Sequence, residues 1–231
     1  MSLRSAKVAH CMKLPTDPEL FQLIEQKLFT AVVGDILDRE NCWHQFLPQP
    51  IKPLEPSYCV IGRAMPVQIA DVTGSRGRPF GLMTEALDAI RPGEVYLATG
   101  GSMNCAAWGE ILTATARVRG GAGAVIDGFH RDTPRVLAQK WPVFSRGSYA
   151  QDAGVRSSVT AYRCVVEIGG VLVHPGDLVF GDVDGVVIIP RQMEARIIEL
   201  ALDKVAGEKI VRSEIEGGST STAVFDKHGI L

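Results

Sequence analysis

Near its start the chain carries apolar residues at helical spacing. Leu20, Leu23, Ile24, Leu28, Val32, Ile36 and Leu37 recur every three or four positions from about Asp17 to Asp38, which predicts an amphipathic helix. Pro15 and Pro18 sit where it would begin, and Thr16 or Asp17 can cap it. Pro48, Pro53 and Pro56 then punctuate a connection. Cys59 to Ile69 reads as a strand with one break, at Gly62, and residues 71–81 as a glycine-rich flexible loop. A helix at about 82–90 ends in the turn Arg91-Pro92-Gly93-Glu94, which feeds a strand at Val95–Ala98.

Ala107 to Arg119 reads as a helix, Ala124–Asp127 as a short buried strand, Thr133–Gln139 as a helix and Val143–Ser145 as a strand. Alternation from Ala161 to Val173 predicts a hairpin turning at Gly169-Gly170. His174-Pro175-Gly176-Asp177 repeats the earlier proline–glycine–acid turn before a strand at Leu178–Phe180. Gly181-Asp182-Val183-Asp184-Gly185 looks like a cation loop but lacks the further oxygens of an EF-hand; it reads as a structural turn before the apolar strand Val186–Ile189. A long helix follows from Gln192 to about Glu216, stopped by Gly217-Gly218, then a short one around Ala223-Val224-Phe225. Helices and strands alternate in the middle and strands cluster later, the pattern of a layered α/β domain.

Composition narrows the function classes. Of 231 residues, 46% are hydrophobic and 22% charged, so a large core can be buried. A net charge of −2 gives no basic footprint, and no nucleic-acid partner is expected. Cys11, Cys42, Cys59, Cys105 and Cys164 are odd in number and scattered, which fits a reducing compartment rather than a disulfide framework. The start of the chain has no apolar leader-like stretch, and no run approaches the roughly eighteen apolar residues of a membrane span. A soluble, cytoplasmic protein without a membrane partner is expected.

Two segments carry chemistry. From Gly100 to Leu112 a strand runs through glycines into a helix, where backbone N–H groups can bind an anion; tight-turn glycines would look the same. After Glu110 and twenty intervening residues comes Arg131-Asp132, just past a buried strand, where α/β sheets place ligands. Arg can grip a carboxylate in bidentate fashion and Asp can hold one face of a hard cation, although such a pair alone is more often a surface salt bridge.

Together, Gly109-Glu110 and Arg131-Asp132 at that spacing resemble the motif of the class II 4-hydroxy-4-methyl-2-oxoglutarate/4-carboxy-4-hydroxy-2-oxoadipate aldolases, a superfamily that includes the regulator of ribonuclease E activity A. The similarity runs from Thr30–Asp35 to Gly181–Pro190. It implies one β/β/α swivelling-type domain over 1–231, with N-terminal helices, a core at about 30–190 and a C-terminal helical extension at about 191–231. It implies that Asp132 ligates Mg²⁺ or Mn²⁺, Arg131 contacts the oxo-acid oxygens, and the backbone of Gly109, Glu110, Ile111 and Leu112 cradles the substrate carboxylate. Glu110, standing where many members carry Asp, would move a proton or orient water. An acid from a neighbouring subunit of a homotrimer or homohexamer would hold metal-bound water: Glu208, with Glu199 and Glu214 as alternatives.

The implied reaction is retro-aldol cleavage of a 4-hydroxy-2-oxo acid to pyruvate and a second oxo acid, with oxaloacetate decarboxylation as a side activity through the same enolate. Glu110 or a water on the cation would take the C4 hydroxyl proton. A Schiff base on Lys140 is the competing mechanism. His130 is a candidate acid; Cys105 has no base beside it, Trp108 fits the core or a pocket wall, and Arg117 and Arg119 a solvated helix face. The competing function is a non-catalytic regulator of a ribonuclease, but the inhibitor branch is shorter and generally lacks the helix from Gln192 onward. A methyltransferase would need a glycine fingerprint that is missing.

Overall fold

The computed structural model describes residues 16–73, 78–102 and 104–229. Two helices stand where the apolar spacing suggests one: α1 (Asp17–Lys27) and α2 (Thr30–Arg39). Leu28 and Phe29 between them are extended, with φ of −116° and −140°. The break exposes the Thr30 N–H and hydroxyl to Asp182, whose carboxylate accepts them at 2.8 and 2.7 Å and also accepts the Asp184 N–H at 2.9 Å. Gly181–Gly185 is therefore structural, as expected, and its acid caps a helix begun 152 residues earlier. Asp182→Ala should cost about 1–2 kcal/mol, seen as a lower urea midpoint with an unchanged slope.

The next elements are β1 (Lys52–Pro53), β2 (Val60–Asp71), β3 (Phe80–Gly81), α3 (Met83–Asp88) and β4 (Glu94–Thr99). They are followed by β5 (Ala106–Trp108), α4 (Glu110–Val118), β6 (Gly123–Ile126), β7 (Phe129–His130), α5 (Thr133–Ala138) and β8 (Val143–Ser145). After β9 (Ser157–Tyr162) come two hairpins, β10 (Val166–Ile168) with β11 (Val171–Val173), and β12 (Leu178–Asp182) with β13 (Gly185–Ile189). The chain continues through α6 (Glu194–Glu216) and α7 (Ser221–His228). The first hairpin turns at Gly169-Gly170, both at positive φ, as the alternation predicts. Of the loop expected at 71–81, residues 74–77 lie outside the described residues, and its end forms β3.

The main sheet runs β1-β8-β6-β4-β2-β12-β13, with β9 beside β2 and β3 beside β9. Strands β2, β4, β6 and β8 are parallel and joined through α3, α4 and α5. Residues 45–47 bond to β13, by Leu47 N–H to Val186 O at 2.9 Å and Ile188 N–H to Gln45 O at 2.8 Å, while β1 pairs with β8. The sheet is thereby nearly closed. Val60, Leu97, Val125, Phe144 and Ile188 fill its inside together with the β10–β11 hairpin. Helices α3 to α5 cover one outer face around Trp108 and Trp141, and α1, α2 and α6 cover β12 and β13. These are the layers of a β/β/α swivelling domain with N-terminal helices and a long C-terminal helix. No described helix is long and apolar enough to cross a membrane.

Gly62 does not interrupt its strand: β2 is continuous from Val60 to Asp71. A Cβ at Gly62 would lie 2.5 Å from the Gly93 carbonyl oxygen and 2.9 Å from Val95, so glycine lets β4 approach. The two proline–glycine–acid turns use one device. Glu94 accepts the Arg91 N–H and Asp177 the His174 N–H, each at 2.8 Å. Both turns then grip the start of β2, through Arg63 N–H to Gly93 O and Ala64 N–H to Asp177 O.

Candidate active site

The segment whose composition predicts the start of a helix is a strand. Ala107 and Trp108 begin no helix; Ala106–Trp108 is β5, paired in parallel with β7, and α4 starts at Glu110. Alanine favours a helix locally, but here ladder pairing prevails. That pairing brings the two motifs together, since Arg131, one residue past β7, donates its N–H to Trp108 O at 2.9 Å. Both segments follow the carboxyl ends of parallel strands, β4 and β6, where ligand crevices form.

Gly109, Glu110, Ile111, Leu112, Arg131 and Asp132 line one open cleft of about 80 Å³, together with Phe80, Met83, Trp108 and Asp152. Gly109 is the extended residue before α4, and a Cβ there would lie 2.8 Å from Asp132 Oδ2. Asp132 is in the left-handed region, φ 58° and ψ 32°, a conformation Asp tolerates better than most residues. Its carbonyl oxygen accepts the N–H groups of Arg135 and Val136 at 2.9 and 3.0 Å. Its carboxylate is turned back toward α4, 3.3 Å from the Glu110 N–H, where unsatisfied amides favour negative charge.

Arg131 reaches across the cleft. Its Nη1 is 2.9 Å from Asp152 Oδ1, and its Nε is 3.8 Å from Asp132 Oδ2. Glu110 meets Arg135 Nη1 at 3.1 Å, while Gln139 holds the Glu110 carbonyl at 3.0 Å. Five charged side chains, three acids and two arginines, thus lie in a row. Sequence reasoning missed two of them. Arg135 lies in the first turn of α5, three residues after Asp132, with no motif of its own in the sequence. For Asp152 the only local hint is Asp-Ala-Gly, which suits an Asx turn.

Other expected residues fall elsewhere. Gly100 and Gly101 have positive φ and make a turn whose Ser102 N–H is already taken by Asp71 at 2.9 Å; they do not line the Arg131 cleft. His130 is buried, with its ring nitrogens 2.7 Å from Ser145 Oγ and 2.9 Å from Thr133 Oγ1, and burial pushes its pKa down. That makes it a neutral structural link between β7, β8 and α5. Cys105 is buried beside Ser157, and the exposed Lys140 is outside the cleft. Trp108 serves both roles considered for it, stacking on Trp141 at 6.1 Å while walling the cleft. Arg117 and Arg119 are exposed.

Glu208 pairs with Lys204 on α6, and Glu199 is exposed on the same helix. Lys227 and His228 hydrogen bond to Glu214 and hold its carboxyl below the usual range. None of these acids lines the cleft of its own chain. Among the described residues no three acidic, histidine or cysteine side chains converge as a metal cage. Of the three carboxylates in the cleft, Asp152 and Glu110 are paired with Arg131 and Arg135, and half-exposed Asp132 is the one least engaged by an arginine. A single hard oxygen ligand fits Mg²⁺ or Mn²⁺ with retained water and does not fit a tetrahedral zinc site.

The fold is that of a mixed α/β protein, with a candidate site on the loops after β4 and β6. Residues 30–188 match the RraA-like family model, described as Aldolase/RraA, and the chain belongs to that family. It is 33% identical over 181 residues to a Halalkalibacterium halodurans protein provisionally named 4-hydroxy-4-methyl-2-oxoglutarate aldolase, covering 78% of this chain and 81% of that one. It is 28% identical over 192 residues to protein DlpA of Legionella pneumophila, covering 83% of this chain but spanning only 31% of DlpA's length. Among solved structures, Streptomyces coelicolor RraAS2, described as an unusual member of the RNase ES inhibitor RraA protein family, superposes with a TM-score of 0.76 at 27% identity, over 87% of this chain and 98% of that one.

Proposed function

We propose that the chain is a divalent-metal-dependent lyase that cleaves a 4-hydroxy-2-oxo acid to pyruvate and a second oxo acid. The observation that carries this reading is the convergence of Arg131, Asp132, Glu110 and the first turn of α4 on one cleft. The C3–C4 bond breaks, its electrons move onto the C2 oxygen, and the C4 hydroxyl loses its proton. Arg131 donates to the oxygens of the oxo-acid end, and the first N–H groups of α4 bind its carboxylate. Glu110, fixed by Arg135, takes the hydroxyl proton and returns it to C3 of the enolate, which completes pyruvate. Asp132 would hold a divalent cation, which when bound would supply Lewis-acid stabilisation of the developing negative charge. In a trimer or hexamer, Glu208 of a neighbouring copy would complete the water shell. Oxaloacetate decarboxylation belongs to the same proposal, because it leaves the same enolate.

The test is a lactate-dehydrogenase-coupled screen of 4-hydroxy-2-oxo acids and oxaloacetate with Mg²⁺ and Mn²⁺. Pyruvate release that a chelator abolishes and added metal restores is expected; release that survives the chelator would overturn the metal mechanism. The likeness to RraAS2 favours a second reading, a ribonuclease inhibitor. Capture of a ribonuclease by a preparation that forms no pyruvate under any condition would establish it instead.

A further inference from the structure

Asp152 enters the cleft on the loop between β8 and β9, and the proposed reaction assigns it no role. Its backbone is fixed from both sides. Ala106 of β5 donates its N–H to Gln151 O at 2.8 Å, Asp152 O accepts Arg156 Nη1 at 3.1 Å, and Ala153 O accepts the N–H groups of Arg156 and Ser157 at 2.8 and 2.9 Å. The carboxylate is fixed as well, because Oδ2 accepts the Gly154 N–H at 2.8 Å. A Cβ on Gly154 would lie 2.7 Å from Oδ2 and 3.0 Å from the Phe80 ring, so a side chain there would displace the acid. What remains is Oδ1, and it meets Arg131 Nη1 at 2.9 Å.

We infer that Asp152 is a positioning residue: it holds the Arg131 guanidinium in the cleft, with the remaining donors directed at the oxo-acid. The inference rests on the reading of Arg131 as the anchor of that acid. Asp132 is poorly placed for the task. It is 3.8 Å from Nε, beyond hydrogen-bond range, and in the proposed reaction its carboxylate serves the cation. An arginine has many rotamers to lose when it binds. Holding it in place before the substrate arrives removes that ordering from the binding step.

The test compares Asp152→Asn and Asp152→Glu with the unmodified protein in the presence of Mg²⁺. Steady-state cleavage is measured, and pyruvate and oxalate binding are measured calorimetrically, a readout that needs no turnover. In Asp152→Asn the Gly154 bond survives while the charge on Oδ1 is lost. KM and the pyruvate Kd should rise roughly 10- to 100-fold, the effect of one charge-assisted hydrogen bond. kcat should fall less, and the half-saturating Mg²⁺ and the melting temperature should stay put. Asp152→Glu should recover part of the binding. Unchanged pyruvate binding in Asp152→Asn overturns the inference, as does a parallel loss of Mg²⁺ affinity or of folded protein. If the unmodified chain neither binds nor releases pyruvate, the functional reading itself has failed, and the inference falls with it.

Discussion

Asp132→Asn should lower metal-supported pyruvate release by roughly a thousandfold or more, equivalent to about 4 kcal/mol of transition-state stabilisation. The amide keeps the size of the side chain and tolerates the left-handed backbone at φ 58°, so α5 should start where it does now. The carbonyl still receives Arg135 and Val136. What disappears is the negative charge that a hard cation needs. Some stability goes too, because the carboxylate lies against the first amide of α4, a helix-terminus effect of about 0.5–1 kcal/mol. The two effects separate cleanly: turnover at saturating Mg²⁺ collapses while the melting temperature moves by a few degrees. A variant that kept most of its turnover at the same metal concentration would remove Asp132 from the centre of the reaction.

Arg63→Ala should be the most damaging substitution for the fold itself. Arg63 leaves β2 with its side chain only 10% exposed and ties the first turns of two helices together. Its Nε donates to Asp17 Oδ2 at 3.0 Å on α1, and its Nη2 to Glu194 Oε1 at 3.1 Å on α6; the Phe21 ring packs under the guanidinium. Burial opposes the charge, but the bonds to Asp17 and Glu194 keep Arg63 firmly protonated. Glu194, at 4% exposure, would be left as a buried charge with its arginine gone. The expected loss is about 3–5 kcal/mol, or roughly 10 °C in melting temperature for a chain of this length. A paired Arg63→Met/Glu194→Leu change should recover much of it, since apolar replacements of buried ion pairs are often neutral.

The Arg63 hydrogen bond also keeps the Asp17 carboxyl below its ordinary value of 3.8. A lowered folded-state pKa stabilises above the unfolded value, and that stabilisation is lost as pH falls through the folded one. The native chain should therefore weaken in acid below about pH 4, and Arg63→Ala should show a flatter acid limb. Melting curves from pH 7 to 3 check both statements.

Much of this molecule can be read from local pattern. The β10–β11 hairpin announces itself through Gly169-Gly170, and α6 runs nearly the length its spacing suggests. Arg131-Asp132 stands out because two charged residues follow a buried strand. The misreadings share one cause, a long-range partner. Leu28 and Phe29 carry no glycine or proline, and the new start at Thr30 is capped by Asp182 from the far hairpin. Ala106–Trp108 has helical composition and becomes a strand because β7 lies beside it. Asp152 reaches Arg131 from a loop with no motif, so its part in the cleft is visible only once β5 has fixed that loop.

Strand β2 is bonded to β4 on one side, and to β12 and then β9 on the other. Synthesis proceeds from the amino end, so the parallel half made of β2, β4, β6 and β8 can assemble while β12 is still unmade. In that interval the Val60–Arg63 end of the longest strand has no partner on that side, and such rims recruit other chains. The late hairpin β12–β13 therefore closes the nascent protein as well as capping α2. Until it arrives, the molecule's safety rests on how fast the ribosome delivers it.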